Sequence, residues 1–428
     1  MLNNNIDVRN VYTPDIVVVG GGPIGLWTAI QTKLRTQKDI LIVEKYNEYK
    51  RADIRLNIRA SSFNGIAGYE PLRILAQKWG NRLVPIKEIE DELTKCAHNL
   101  GISILKGKAA DPKLLKEQYP TARMFIGADG ARSTVRKEIF DDQYKFNIPL
   151  QYIAQVQYMI KTPEDENEDC FKSGAKSYSK QKFAGHLITQ NIRPQNNGQS
   201  QVTLRIFINQ KTYKEMADAT FSNPYYFEKD LHKVPLRLQD TLIKWWGTQH
   251  NQSILVDKDK PNKISVIPLN SYASKQVYKV DDDQQVAYLL VGDASQAYPF
   301  FRAVNNGLLI GTKLAQDISK AFTTLDKAQE NVLPSVGPQS NKLVASSFKS
   351  YARYSAKRAY IECIKSLAKN LFIVLSNYWI KISNCVPWQT IKLKKEEKIK
   401  AYECGVEIWK ELSGADPSPR LVTNEWLK

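Results

Sequence analysis

The chain has 428 residues and 43% apolar content, ample for two ordinary globular domains and too apolar for a chain that stays disordered. Its 61 basic and 44 acidic residues leave a net charge of +17. That field favours acidic partners, whether a phosphorylated cofactor, an anionic lipid, an acidic protein or nucleic acid. Five scattered cysteines, Cys96, Cys170, Cys363, Cys385 and Cys404, and four separate histidines show no metal-ligand spacing and no close redox pair. The reading is therefore no metal site, no disulfide reductase, and reduced thiols in a cytoplasmic protein. No stretch reaches the roughly 18 uninterrupted apolar residues of a membrane span, and residues 1–7 do not read as a secretory signal. No RNA-binding signature, zinc finger or basic aromatic repeat is present, which disfavours nucleic acid as a partner.

The first predicted element is a buried strand, Ile16-Val17-Val18-Val19, running into Gly20-Gly21-Gly22-Pro23-Ile24-Gly25 and a helix that starts near Pro23. A side chain at Gly20 would block the tight turn, one at Gly22 would keep the backbone from a pyrophosphate, and one at Gly25 would push helix and strand apart. The helix N-terminus offers N–H groups and partial positive charge to phosphates. A second strand, Ile40-Leu41-Ile42-Val43, ends in Glu44, which stands about 20 residues past the glycines, where a carboxylate accepts hydrogen bonds from an adenosine ribose. A basic loop follows, then a helix whose apolar positions Ile86, Ile89, Leu93, Ala97 and Leu100 form one face.

Farther along, the apolar run Met124-Phe125-Ile126 leads into Asp129-Gly130-Ala131-Arg132-Ser133-Thr134-Val135-Arg136, and Ala287-Tyr288-Leu289-Leu290-Val291 leads into Gly292-Asp293-Ala294. Each run is expected to be a strand that delivers an aspartate to its carboxyl end, the edge where open α/β sheets bind ligands. Between them, 152–160 and 202–208 alternate apolar and polar residues as half-buried antiparallel strands do, with surface loops at 164–169 and 193–198. After Pro and Gly punctuation at 333–339, Phe348, Tyr351, Tyr354, Ile361, Ile364, Leu367, Leu371 and Leu375 predict one helix, and Ile399, Tyr402, Val406, Trp409 and Leu412 another.

The three motifs in this order resemble those of the flavin-dependent aromatic hydroxylases of the para-hydroxybenzoate hydroxylase type, over roughly the first 325 residues. The resemblance implies an α/β fold with a Rossmann-like FAD-binding domain (1–140 and 285–334) and an antiparallel-sheet substrate domain (141–284) that roofs the flavin; past the family motifs, the helical spacing adds a helical C-terminal extension (335–428). It implies that Gly20, Gly22, Pro23, Gly25, Glu44 and Lys45 serve the FAD adenosine and pyrophosphate, and that Asp129, Gly130 and Arg136 lie between the pyrophosphate and the path of the nicotinamide cofactor. Gly292 and Asp293 would then meet the ribityl chain, Pro299 the ring, and Asn305 and Asn306 the helix start aimed at the flavin pyrimidine edge. The reaction implied is a monooxygenation in which NADPH or NADH reduces the flavin, oxygen adds at C4a, and the hydroperoxide passes one oxygen to a small aromatic substrate. No catalytic side chain is singled out, because the flavin carries the chemistry.

Arg302 and Val304 stand where the family has glycines, and Gln296 where it often has histidine, so a ring approached less closely is expected. Glu44-Lys45, Arg51, 84–93 and 100–102 are similar to the MICAL branch, which implies a protein side chain as alternative substrate and an acidic protein as partner. Arg51 would be that branch's cofactor arginine, with Arg55 and Arg59 as competitors. A binding protein on an impaired FAD scaffold is the remaining alternative. Tyr152, Gln155, Phe207, Pro268 and Phe301 are the candidate pocket residues.

Overall fold

The structure, a computed structural model, describes residues 13–47, 55–161, 186–194, 199–249, 262–281, 286–299, 302–330 and 336–385. Arg51, Phe301, the loop at 164–169, residues 195–198 and the 399–412 helix lie outside them. In chain order the strands are β1 (Ile16–Val19), β2 (Ile40–Val43), β3 (Arg55–Ile58), β4 (Arg82–Pro85), β5 (Ser103–Leu105), β6 (Met124–Gly127), β7 (Tyr144–Lys161), β8 (Ile188–Pro194), β9 (Gln199–Ile208), β10 (Tyr225–Tyr226), β11 (Lys263–Ser274), β12 (Tyr278–Asp281), β13 (Val286–Leu290) and β14 (Gln296–Ala297). The helices are α1 (Pro23–Thr36), α2 (Glu70–Trp79), α3 (Ile86–Asn99), α4 (Leu115–Gln118), α5 (Thr134–Ile139), α6 (Gln210–Glu215), α7 (Phe227–Asp230), α8 (Leu236–Gln249), α9 (Ala303–Glu330) and α10 (Val336–Cys385). The chain divides into two compact units, residues 1–148 with 270–366, and 149–269 with 367–428.

The first unit is built on a six-stranded sheet in the order β12-β13-β6-β1-β2-β5, parallel from β13 to β5 with β12 antiparallel at the edge. Its strands read as unbroken apolar runs because both faces are covered. Ile16, Val18, Ile40 and Ile42 face a layer containing Leu26, Trp27 and Ile30 of α1, Ile89 and Leu93 of α3, and Leu314 and Ile318 of α9. Val17, Val19, Leu41 and Val43 face the other way, with Phe125, Val135 and Leu290. Each such Ile or Leu, fully buried, contributes about 2 kcal/mol relative to exposure. The Trp27 indole also donates to the Leu308 carbonyl and to Thr312 Oγ1, both at 3.0 Å, which fixes α1 against α9.

The second unit carries an antiparallel sheet in the order β10-β11-β7-β9-β8. Ala154, Val156, Tyr158, Val202, Leu204 and Ile206 bury against Leu238, Leu242, Trp245 and Trp246 of α8. The register places Tyr152 opposite Ile208 and Gln155 opposite Arg205. Positions three apart on a strand point to opposite faces, so Tyr152 and Gln155 do not share one pocket as the sequence suggested. Tyr152 instead stacks on Tyr213, ring centroids 4.5 Å apart, at the edge of the core, and Pro268 is exposed.

The long C-terminal helix buries a different stripe from the predicted one. Phe348 and Tyr351 are buried as expected, but from there to Ser366 the buried positions are Ser355, Ala359, Glu362, Cys363 and Ser366, and Ile373 is buried farther on, while Ile364, Leu367, Leu371 and Leu375 are exposed. Polar contacts to Gln296 and Arg302, described below, select this face over the apolar one.

Candidate functional site

The three glycine- and aspartate-bearing turns leave one edge of the first unit's sheet. Val19 of β1 pairs with Val43 of β2 and Gly127 of β6, and Gly127 pairs in turn with Leu290 of β13. All four strands are parallel, so the turns after β1, β6 and β13 and the residue after β2 emerge side by side at carboxyl ends. Main-chain bonds extend the ladder into the turns: Gly20 N–H to Val43 O at 2.9 Å, Ala128 N–H to Val19 O at 2.8 Å and Val291 N–H to Gly127 O at 2.9 Å.

The glycine turn permits no side chain where it is tight and leaves room where it is open. Gly20 has φ of +110°, and a Cβ there would sit 2.5 Å from the Ala128 carbonyl oxygen. A Cβ on Gly25 would sit 1.9 Å from the Gly20 oxygen, so helix and turn touch through bare backbone. Gly22 is the reverse case, with nothing within 4 Å of the Cβ position. Pro23 starts α1, whose first turn has neither an acidic residue nor a side-chain cap. Its positive end is therefore available to an anion at the opening over Gly22. Beside it, Glu44 accepts from the Gly21 N–H through Oε2 at 2.6 Å and from the Tyr46 N–H through Oε1 at 2.8 Å. Each oxygen keeps a second lone-pair site. Lys45 Nζ lies over the Tyr46 ring, 5.6 Å from its centroid. Glu90 of α3 feels the Glu44 charge, and its carboxyl is pushed up to about 7, chiefly by burial, with Lys106 opposing and Glu44 adding to the rise.

At the second turn, Asp129 Oδ2 accepts from the Thr134 N–H at 2.6 Å, the Thr134 hydroxyl at 3.0 Å and the Val135 N–H at 3.3 Å. The aspartate thus takes the first two N–H groups of α5, while the N-cap Ser133 accepts from the Arg136 N–H at 2.9 Å. Gly130 takes the left-handed conformation, φ +83°, that this reversal needs. Arg136, 4% exposed, fastens the second turn to the third. Its Nη1 donates to the Ala294 carbonyl at 3.1 Å and the Asp293 carbonyl at 3.4 Å, its Nη2 to the Ala131 carbonyl at 3.0 Å, and its Nε to Asp142 Oδ1 at 2.7 Å. Tyr144 and Tyr272, packed edge to face with ring centroids 5.3 Å apart, both lie against the guanidinium, their centroids 5.1 and 5.2 Å from Cζ. The Tyr272 hydroxyl, held protonated by burial and by the nearby Asp293 charge, donates to the Asp293 carbonyl at 2.7 Å. Neither tyrosine carries a sequence signal, since each looks like an ordinary strand residue.

At the third turn, Gly292 also has positive φ, +64°, and Asp293 is half-buried in the short 3₁₀ turn Gly292–Ala294. Buried Gln296, in the position of the family histidine, accepts from the Tyr298 hydroxyl and donates to Ser355 Oγ of α10 at 3.3 Å. Pro299 is buried just before the start of α9. Arg302, in a family glycine position, turns to α10, where it donates to Ser366 and pairs with buried Glu362 at 3.5 Å. Val304 packs against the unit's core. Asn305 ties α9 to the β3 segment, donating to the Asn57 carbonyl at 2.8 Å and accepting from the Arg59 N–H at 2.8 Å and the Ser62 hydroxyl at 2.7 Å. Asn306 Oδ1 accepts from Arg358 Nε of α10 at 2.8 Å. Gly20, Gly22, Pro23, Gly25 and Glu44 therefore share an edge with Asp129, Arg136, Gly292 and Asp293, while Asn305 and Asn306 are engaged by β3 and α10. Arg51 lies outside the described residues.

No protein-family model matches the chain, and no curated protein matches it. Among solved structures it is similar to CabE, an aromatic hydroxylase from angucycline biosynthesis, with a TM-score of 0.53 at 14% identity over 94% of this chain and 76% of that one. It is also similar to BexE, studied for oxidation during BE-7585A biosynthesis, with a TM-score of 0.50 at 14% identity over the same shares. At such identities the likeness is one of fold: a mixed α/β architecture with parallel and antiparallel sheets. No helix among the described residues is long and apolar enough to cross a membrane.

Proposed function

We propose that the chain is an FAD-dependent oxidoreductase and, more narrowly, an NAD(P)H-driven monooxygenase that oxidises an organic, aromatic substrate. The observation that carries this reading is the convergence of three turns on one sheet edge around an opening left by Gly22. The residues fit the cofactor: an uncapped α1 N-terminus and a side-chain-free approach for a pyrophosphate, and Glu44 with lone pairs to spare for a ribose. The fold shared with an aromatic hydroxylase supports the same choice.

When bound, FAD would supply the redox chemistry, taking reducing equivalents from a nicotinamide and activating oxygen. Gly20 to Gly25 would bind its phosphates and Glu44 its adenosine ribose. Asp293 and Pro299 would border the remainder, and the α9 N-terminus would favour negative charge near it. Arg136 would act through the main chain, keeping the Asp129 and Asp293 turns in register. With Arg302 drawn to α10, the loss of a glycine there leaves the reading standing.

The test is direct: purify the chain, record its visible spectrum with and without added FAD, then follow NADPH oxidation and oxygen uptake over a panel of aromatic substrates. A yellow protein with substrate-stimulated oxygen uptake is expected. A yellow protein that no nicotinamide reduces would make it a scaffold, and one that rejects FAD would overturn the reading.

A further inference from the structure

A cavity of about 420 Å³ lies in the first unit between α9, α10 and the 3₁₀ turn Ala60–Phe63. Asn305, Leu309, Thr312, Lys313 and Gln316 line it along one face of α9. That spacing covers three helical turns, so the cavity floor is roughly 16 Å long. Ser61 and Ser62 come from the 3₁₀ turn, and Tyr354, Arg358 and Lys365 from one side of α10. The size is that of a small-molecule site.

The lining contains Arg59, Lys313, Arg358 and Lys365 and no carboxylate. Two buried acids stand behind it. Asp317, 0% exposed, pairs with Lys313 at 2.8 Å and Lys320 at 3.5 Å. Glu362, 3% exposed, pairs with Lys365 at 2.8 Å, Arg302 at 3.5 Å and Arg358 at 3.9 Å. Arg59 has no acidic partner among the described residues. The four lining cations and two neighbours outside the lining, Arg302 and Lys320, thus share two carboxylates, which leaves the cavity with a positive excess. Burial lowers the pKa of the Arg302 guanidinium, Glu362 opposes this, and the nearby Arg59 charge adds to the depression, so the two guanidiniums repel. An anion placed between these groups relieves that repulsion.

We propose that this cavity binds a small phosphorylated anion carrying at least two negative charges, held by Arg59, Arg358, Lys313 and Lys365 with the Ser61 hydroxyl. Guanidinium forks and ammonium groups grip phosphoryl oxygens by charge-assisted hydrogen bonds, and two forks beside two ammoniums exceed what one carboxylate can use. The cavity runs along α9 from Asn305 to Gln316, and although Asn305 and Arg59 are also among the cofactor candidates, the proposal does not depend on the redox reading.

The experiment is a calorimetric titration of the full chain with pyrophosphate, and with citrate as a carboxylate polyanion of similar charge. Pyrophosphate should bind more tightly than citrate and lose affinity as sodium chloride is raised. Arg59→Gln, which strands no buried acid, should weaken it about tenfold, the value of one charge-assisted bond. Ser61→Asp removes no ion pair and adds a negative charge to the cavity, so it should weaken binding at least as much, with an unchanged far-UV circular dichroism spectrum confirming the fold. Gly22→Asp, at the other anion-favouring feature of the unit, should leave pyrophosphate affinity as it was. No binding by the parent chain, equal affinity for citrate, unchanged affinity in both cavity variants, or loss of binding in Gly22→Asp would each overturn the assignment.

Discussion

At the α1 end of the candidate site the geometry is set by backbone against backbone: Gly25 has no room for a methyl group, and Gly20 rests against the Ala128 carbonyl. At the α9 end it is set by side-chain charge, with Arg302 reaching a glutamate that is 3% exposed on α10, Gln296 reaching Ser355, and Arg358 reaching Asn306. The contrast shows two ways to hold a turn of the candidate site. Contact between main chains tolerates no added atom, because close-packed backbone cannot rearrange locally. A network of long side chains can lose one member and redistribute its bonds.

The largest expected effect follows from the first of these. Gly25→Ala should destabilise the chain by about 4 kcal/mol or more, or prevent folding, since the new methyl would overlap the Gly20 oxygen. Chemical denaturation of the variant measures it, and a loss under about 1 kcal/mol would mean the turn can open, which breaks the contrast. Arg302→Gly, which installs the glycine of the hydroxylases that the sequence resembles, should cost about 2 kcal/mol, because buried Glu362 loses one partner but keeps Lys365 and Arg358. The same denaturation series checks it, and a cost equal to that of Gly25→Ala would erase the distinction between the two ends.

The third effect concerns pH. The Glu90 carboxyl has a folded-state value of about 7, raised by burial, against about 4.5 when unfolded. The folded chain therefore holds a proton that the unfolded chain has released between those values, so this residue's contribution is fully present below about 4.5 and is lost as pH rises through about 7. Glu90→Gln should remove that slope and leave the variant with the higher melting temperature above pH 7. Thermal melts of both proteins at pH 5 and pH 8 make the comparison, and parallel curves would show that Glu90 titrates normally.

Much of the sheet was legible in the sequence because parallel strands covered on both faces must be apolar throughout. The runs at 16–19, 40–43, 124–126 and 287–290 all lie within strands of the first unit. The face of α3 was legible for a related reason, as Ile86, Ile89, Leu93 and Ala97 bury at helical period. The buried stripe of α10 was not. Ser355, Glu362 and Ser366 bury through bonds to residues some 60 positions earlier, and hydrophobic periodicity has no term for such bonds. The work of Arg136 was equally hidden, because its acceptors are mostly carbonyl oxygens that every residue possesses. The bonds from Asp129 to the start of α5 have a local sequence basis, an acid five residues before Thr134, but the motif reading drew attention to an expected cofactor role instead.

That hidden grip has a consequence for how this protein can vary. Arg136 holds the turns at 131 and 293–294 by atoms common to all amino acids, so their side chains can be exchanged for others of tolerable size without loosening the frame. The frame and the lining of the site are thereby separable in design. The lining can be rewritten while a single guanidinium, packed against two tyrosines, preserves the frame.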